Sequence, residues 1–198
     1  MAGYSDRIHH ALAFAAKHHD QQVRKGLRAP YFTQPANLAI ILTRYGQDDT
    51  TVIAGILHQV VDDFSRNGLS REQLEERLGG KFGSGVLDLL ITIVARKLDD
   101  DGVELSPDER RDDVLARLAS APEGARWVCA ADALHSASSL AADLRRTVDA
   151  DAVWARVAVG REATLRWYRR VLDQLSAAGF AAPVMAELAA AVQELEGL

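Results

Sequence analysis

The stretch "AGILHQVVDD", Ala54 to Asp63, sets His58 and Asp62 four positions apart inside an otherwise apolar run. On a helix, residues i and i+4 share one face. An imidazole stacked over a carboxylate is a common way to present groups to a metal or a substrate. Asp63 follows directly, and Gln59, a neutral amide, lies between the two. A lone helical histidine also serves purely structural ends, so ligation and packing both stay open here.

Two further stretches put polar chemistry in unexpected company. In "WVCAADALHSASSL" Asp132 sits among alanines, with His135 beside it and Ser136 one turn later on its face. An unpaired carboxylate buried in such a helix would cost several kcal/mol, so Asp132 needs a partner, whether a bound group or a structural arginine. In "QQVRKGLRAPYFTQP" Arg24, Lys25 and Arg28 cluster in a loop beside Tyr31. Arginine can stack on a nucleotide base while lysine acts as a point charge on phosphate; a solvated basic loop is the plainer alternative. The tandem pairs His9-His10 and His18-His19 are expected to be surface or core residues. Adjacent helical side chains diverge by about 100°, so neither pair can chelate from one face.

The elements that must position these groups are helical. Apolar residues recur at helical spacing throughout, and alternating strand patterns are nearly absent. Helices are expected from Asp6 to about Asp20, then over "ANLAIILTRYG", with Pro35 in the first turn, and over "TTVIAGILHQVVDD". Next come "SREQLEERLGGKFG", opened by a serine cap and Gln73, and "SGVLDLLITIVARKL". A further helix has Ser106 as cap, Pro107 at N1 and Glu109 at N3. "APEGARWVCAADALHSASSLAADLRR", "AVWARVAVGREATLRWYRRVLDQL" and a short helix after Pro183 complete the set. The expectation is one all-α domain, residues 1–198, of eight or nine helices, with the last helix, 183–198, packed on the rest.

Composition narrows the partners. The 198 residues are 48% hydrophobic and 26% charged, which suits a globular protein rather than a disordered one. A net charge of −5 argues against nucleic acid and membrane surfaces as broad partners. Cys129 is the only cysteine, so no internal disulfide can form and a reducing compartment fits. The N-terminus lacks a signal-peptide apolar core, and no apolar run approaches the ~18 residues of a membrane span. Cytoplasmic residence is the expectation.

Taken together, the three stretches resemble the HD-domain phosphohydrolases, in particular the small alarmone hydrolases and the hydrolase half of the Rel/SpoT enzymes. The resemblance is carried by His19, Gln22, Arg24-Lys25-Gly26, Pro30-Tyr31 and Gln34-Pro35. It continues through Leu57-His58-Gln59-Val60-Val61-Asp62-Asp63, then Cys129, Asp132 and Ser136, and spans roughly 11–175. It implies a divalent cation, manganese or magnesium, held by two histidines and two aspartates. It also implies an acidic pair that positions water, and a guanosine tetra- or pentaphosphate that loses its 3′-pyrophosphate. By this resemblance His58 and Asp132 are metal ligands, Asp62 and Asp63 the water-activating pair, and Arg24, Lys25, Tyr31 and Ser136 face the nucleotide.

The departures from the pattern fall on the chemistry. Gln34 stands where the family has its first ligand histidine, and Gln59 where it has the aspartate of the HD pair. The family's lysine is Cys129, its asparagine Ser136 and its glutamate Asp62. Outer contacts to a metal are worth about 10–100-fold in affinity. Losing two direct ligands therefore costs roughly 10²–10⁴-fold or more, about 3–6 kcal/mol. Manganese starts low in the divalent affinity order, so metal is expected to be weak or absent. Gln34, His58, Gln59 and Asp132 are expected instead to close into a direct or water-bridged network. Three functions remain: a phosphorylated nucleotide bound with little turnover, hydrolysis by a rearranged site, or a scaffold with a vestigial pocket.

Overall fold

The structure is a computed structural model, and it describes residues 5–20, 22, 30–99 and 101–198. Arg24, Lys25 and Arg28 lie outside the described residues. Helix α1, Asp6–His18, starts from Ser5, whose Oγ accepts the Ile8 amide and donates to Asp49 Oδ2 at 2.6 Å. That serine ties the start of α1 to the start of α3. Helix α2 is Thr33–Arg44, and α3 is Asp49–Arg66, capped by Asp48.

The core is built around α3. Its residues from Thr51 to Leu57, with Val60 and Val61, are buried on every side, and the helix packs against α1, α2 and two later helices. A helix apolar all round belongs inside, and the polar residues His58, Gln59, Asp62 and Asp63 emerge in its C-terminal half.

Helix α4 covers 71–82: α-helical Arg71–Leu74 and Gly80–Phe82 flank a π-helical turn, Glu75–Gly79. The capping box expected at Ser70 and Gln73 is present. Helix α5, Ser84–Ile93, is shorter than its sequence suggests, because Val94 turns extended. Helix α6, Pro107–Leu118, has the expected box of Ser106 and Glu109 with proline at N1. Between α5 and α6 the described residues form an isolated bridge, Leu98 with Glu104.

Helix α7, Glu123–Arg146, is the longest, and six of its buried residues are alanines. Small side chains let α2, α3 and the last helix approach its axis closely. The single helix expected over 152–175 is instead two: α8, Ala150–Trp154, and α9, Gly160–Ala177. The chain leaves the helical path over 155–159 and re-enters it at Gly160, which adopts φ +75°, a left-handed conformation. Helix α10, Val184–Gly197, packs on α7 and α9. The architecture is all-α, and no strand occurs among the described residues.

Candidate functional site

The polar end of α3 meets α7, the first turn of α2 and the end of α1. Gln34, buried in that first turn, donates from Nε2 to Asp132 Oδ1 at 2.6 Å. Among the described residues, the hydrogen-bond partner of half-buried Asp132 is thus an amide rather than an arginine. Tyr31 donates its hydroxyl to Gln59 Oε1 at 2.9 Å, so this amide is also engaged, but outside the Gln34–Asp132 pair. His58 keeps a buried Nδ1 with no hydrogen-bond partner among the described residues. The expected four-membered network is therefore present as one direct bond, with Gln59 turned to Tyr31.

Asp62 and Asp63 diverge, as neighbours on a helix must. Asp62 is buried and pairs with Arg66 one turn on, Nη2 to Oδ2 at 2.5 Å. Burial pushes its carboxyl above the ordinary range, opposed first by Arg66 and then by His58. Asp63 faces the other way, 3.2 Å from His18 Nε2. His19 is buried, with Nδ1 2.7 Å from Gln22 Oε1. Burial holds the His19 imidazole below its usual basicity. Burial and the nearby Asp132 push the Cys129 thiol up to about 12, so it carries no thiolate at neutral pH.

Two cavities flank this polar seam. One, about 710 Å³, is lined by Tyr31, Gln34, Asp63, Ser136, Arg156 and Tyr168 among others. The second, about 520 Å³, is lined by His58, Gln59, Asp62 and Asp132, with Lys97, Arg110, Arg111 and Trp167 opposite. Arg66 borders both. The two predicted acids thus serve different cavities, and Ser136 shares one with Tyr31. Arg66, Lys97, Arg110, Arg111 and Arg156 escaped the sequence reading. All but Arg66 come from loops or helices remote from the polar α3 segment, and only Arg66 carries a local signal, its i+4 spacing from Asp62.

A cation at the position the resemblance implies meets a poor donor set. One Asp132 oxygen already accepts an N–H from Gln34, and the Gln59 carbonyl already accepts from Tyr31. The unpartnered His58 nitrogen is the corner that still fits. Gln34 now presents a donor where a ligand would present a lone pair. The residues at this position do not suit the metal.

A model of the HD domain matches residues 11–141, about two thirds of the chain. The chain belongs to the HD-domain family. The guanosine-3′,5′-bis(diphosphate) 3′-pyrophosphohydrolase of Aquifex aeolicus is 34% identical over 76 residues, 38% of this chain and 10% of that protein. The GTP pyrophosphokinase of Myxococcus xanthus is 29% identical over 106 residues, 54% of this chain and 13% of its own length. The match spans about a tenth of the length of these curated relatives.

Among solved structures, a metazoan ortholog of SpoT that hydrolyzes ppGpp superposes with a TM-score of 0.72 at 24% identity, over 98% of both chains. The lmo0812 protein of Listeria monocytogenes EGD-e gives 0.65 at 22% identity, over 84% of this chain and 97% of the other. At these identities the likeness is one of fold. HD domains imply divalent-metal chemistry, which makes the two glutamines the informative departure. No helix among the described residues is long and apolar enough to cross a membrane.

Proposed function

We propose that this HD domain binds a phosphorylated nucleotide, of the guanosine tetraphosphate class, and turns it over slowly or not at all. The 2.6 Å hydrogen bond from Gln34 to Asp132 carries this reading. It engages one of the two Asp132 oxygens and puts an N–H where the resemblance implies a ligand lone pair. A cavity of about 710 Å³ is of nucleotide size. Tyr31 offers a ring, and Arg66 and Arg156 offer fork-shaped donors for phosphate. Arg24 and Lys25 are expected to join them. The choice of ligand is motivated by the activity named for the Aquifex relative, and such a ligand fits a cytoplasmic protein.

Calorimetry with guanosine tetraphosphate in excess EDTA tests the reading. Saturable binding is expected, weakened about tenfold or more by Arg66→Ala. Absence of binding at high ligand, with the protein folded, would overturn it. The second reading is a hydrolase with a rearranged site, favoured by Asp62, whose raised proton affinity beside His58 suits acid–base work. Manganese-dependent phosphate release, lost in both Asp62→Asn and Asp132→Asn, would establish it instead.

A further inference from the structure

Beside the Gln34–Asp132 seam, three metal-ligating side chains converge where α1 ends. His18 is the last residue of α1, and His19 has already left it, at φ −99° and ψ 12°. The 100° divergence of neighbouring helical side chains therefore no longer governs this pair. Their rings lie edge to face with centroids 4.8 Å apart, and Asp63 reaches in from α3. One donor atom from each of His18, His19 and Asp63 lies within 4.8 Å of the other two.

We propose that His18, His19 and Asp63 form a site for a divalent transition metal of the zinc and cobalt class, displaced from the family's own metal position. This goes beyond the nucleotide reading and does not rest on it.

The donor chemistry selects the ion. Two imidazoles and one carboxylate suit zinc, cobalt or iron, whereas magnesium and calcium take oxygen ligands. His18 Nε2 and Asp63 Oδ2, at 3.2 Å, already stand near the spacing of adjacent ligands. Bonds of about 2.0–2.2 Å in a tetrahedral shell place donors roughly 3.4 Å apart. The remaining closure, at most about 1.4 Å from the 4.8 Å spread, is within reach of side-chain rotation.

His19 supplies the independent observation. The Gln22 oxygen can only accept, so the 2.7 Å contact puts the proton on His19 Nδ1. Nε2 is then left with a bare lone pair, buried and without a partner among the described residues. Ligating histidines are characteristically held this way, one nitrogen fixed by an oxygen acceptor and the other turned to the metal. His18 and Asp63 are partly exposed, which leaves an approach from solvent. Asp63 and Gln22 line the larger cavity, so an open coordination position could face it.

The experiment is cobalt titration of the untagged, EDTA-stripped full chain, followed by calorimetry and by visible ligand-field absorption, without nucleotide. One equivalent is expected to bind with bands of four- or five-coordinate cobalt. His18→Ala and Asp63→Asn should each weaken binding tenfold or more, on the order of a lost ligand contact. Asp132→Asn and the exposed pair His9→Ala/His10→Ala should leave it unchanged. No saturable one-to-one binding would overturn the proposal. So would binding that survives both His18→Ala and Asp63→Asn, or binding that depends on Asp132 or on His9 and His10.

Discussion

At Gln34 an amide stands in a family position that needs a lone pair, and it offers an N–H. The demand behind that exchange was legible in the sequence. A carboxylate among alanines had to find a partner, and a glutamine at a vacant ligand position was the natural candidate. Which amide reached it was not legible, because Gln59 shares a helix with His58 yet turns to Tyr31. Nor could spacing show that Asp62 and Asp63 serve different cavities or that Arg66 shields the first of them. Asp62 supports a prediction at this scale. Its folded-state proton affinity is raised by burial, so the native chain holds that proton more tightly than the unfolded chain. The stability this proton contributes is present below the unfolded pKa and is lost as pH rises through the folded one. Asp62→Asn should therefore be neutral or stabilising by up to about 1 kcal/mol at pH near 7. The gain should shrink near pH 4, as urea melts at the two pH values would register. The forfeited Arg66 pair subtracts little, since that guanidinium is largely exposed.

Among the elements, the early end of α5 shows where periodicity fails. The apolar pattern runs on past Ile93, and nothing in "ITIVARKL" marks a stop. The stop comes from Arg117 on α6, whose guanidinium donates to the carbonyls of Ile91, Thr92 and Val94 at 2.6, 2.5 and 2.8 Å. Asp113 holds that guanidinium from the side, and Arg96 binds the same carboxylate. A cap supplied from more than twenty residues away is invisible to local pattern. The capping boxes at Ser70 and Ser106, both local, were legible residue by residue. The break ending at Gly160 had a signal in the glycine itself, overridden by the apolar spacing on either side. Arg117→Ala strips three helix-end carbonyls of their donor and leaves Asp113 with one fewer cation. A loss of about 2–4 kcal/mol is expected in denaturant unfolding. Arg117→Lys should recover only part of it, because an ammonium cannot span three acceptors as a planar fork does.

For the molecule as a whole, the HD fold is present, while Gln34 and Gln59 stand at positions where the resemblance implies metal ligands. The helices and their order follow from apolar spacing and caps, which is why the fold was legible almost throughout. The connections among the candidate site residues, such as Gln34 to Asp132 and Gln59 to Tyr31, were not legible in spacing. Restoring the two ligands tests how much else has drifted. Gln34→His/Gln59→Asp should acquire a manganese-dependent rise in Tm greater than the parent's, because an ion that binds only the native state stabilises by mass action. Pyrophosphate release from guanosine tetraphosphate should appear with it. A double variant that folds but gains neither would mean that the surroundings have changed beyond the ligands.

The bond between Gln34 and Asp132 joins positions 98 residues apart. Bringing such distant points together costs roughly 4 kcal/mol of chain entropy before any contact is gained. One neutral–charged hydrogen bond returns less than that, so it cannot recruit α2 and α7 to each other. It must snap shut after their apolar faces have already met, which makes the polar heart of this protein a late arrival in its own folding.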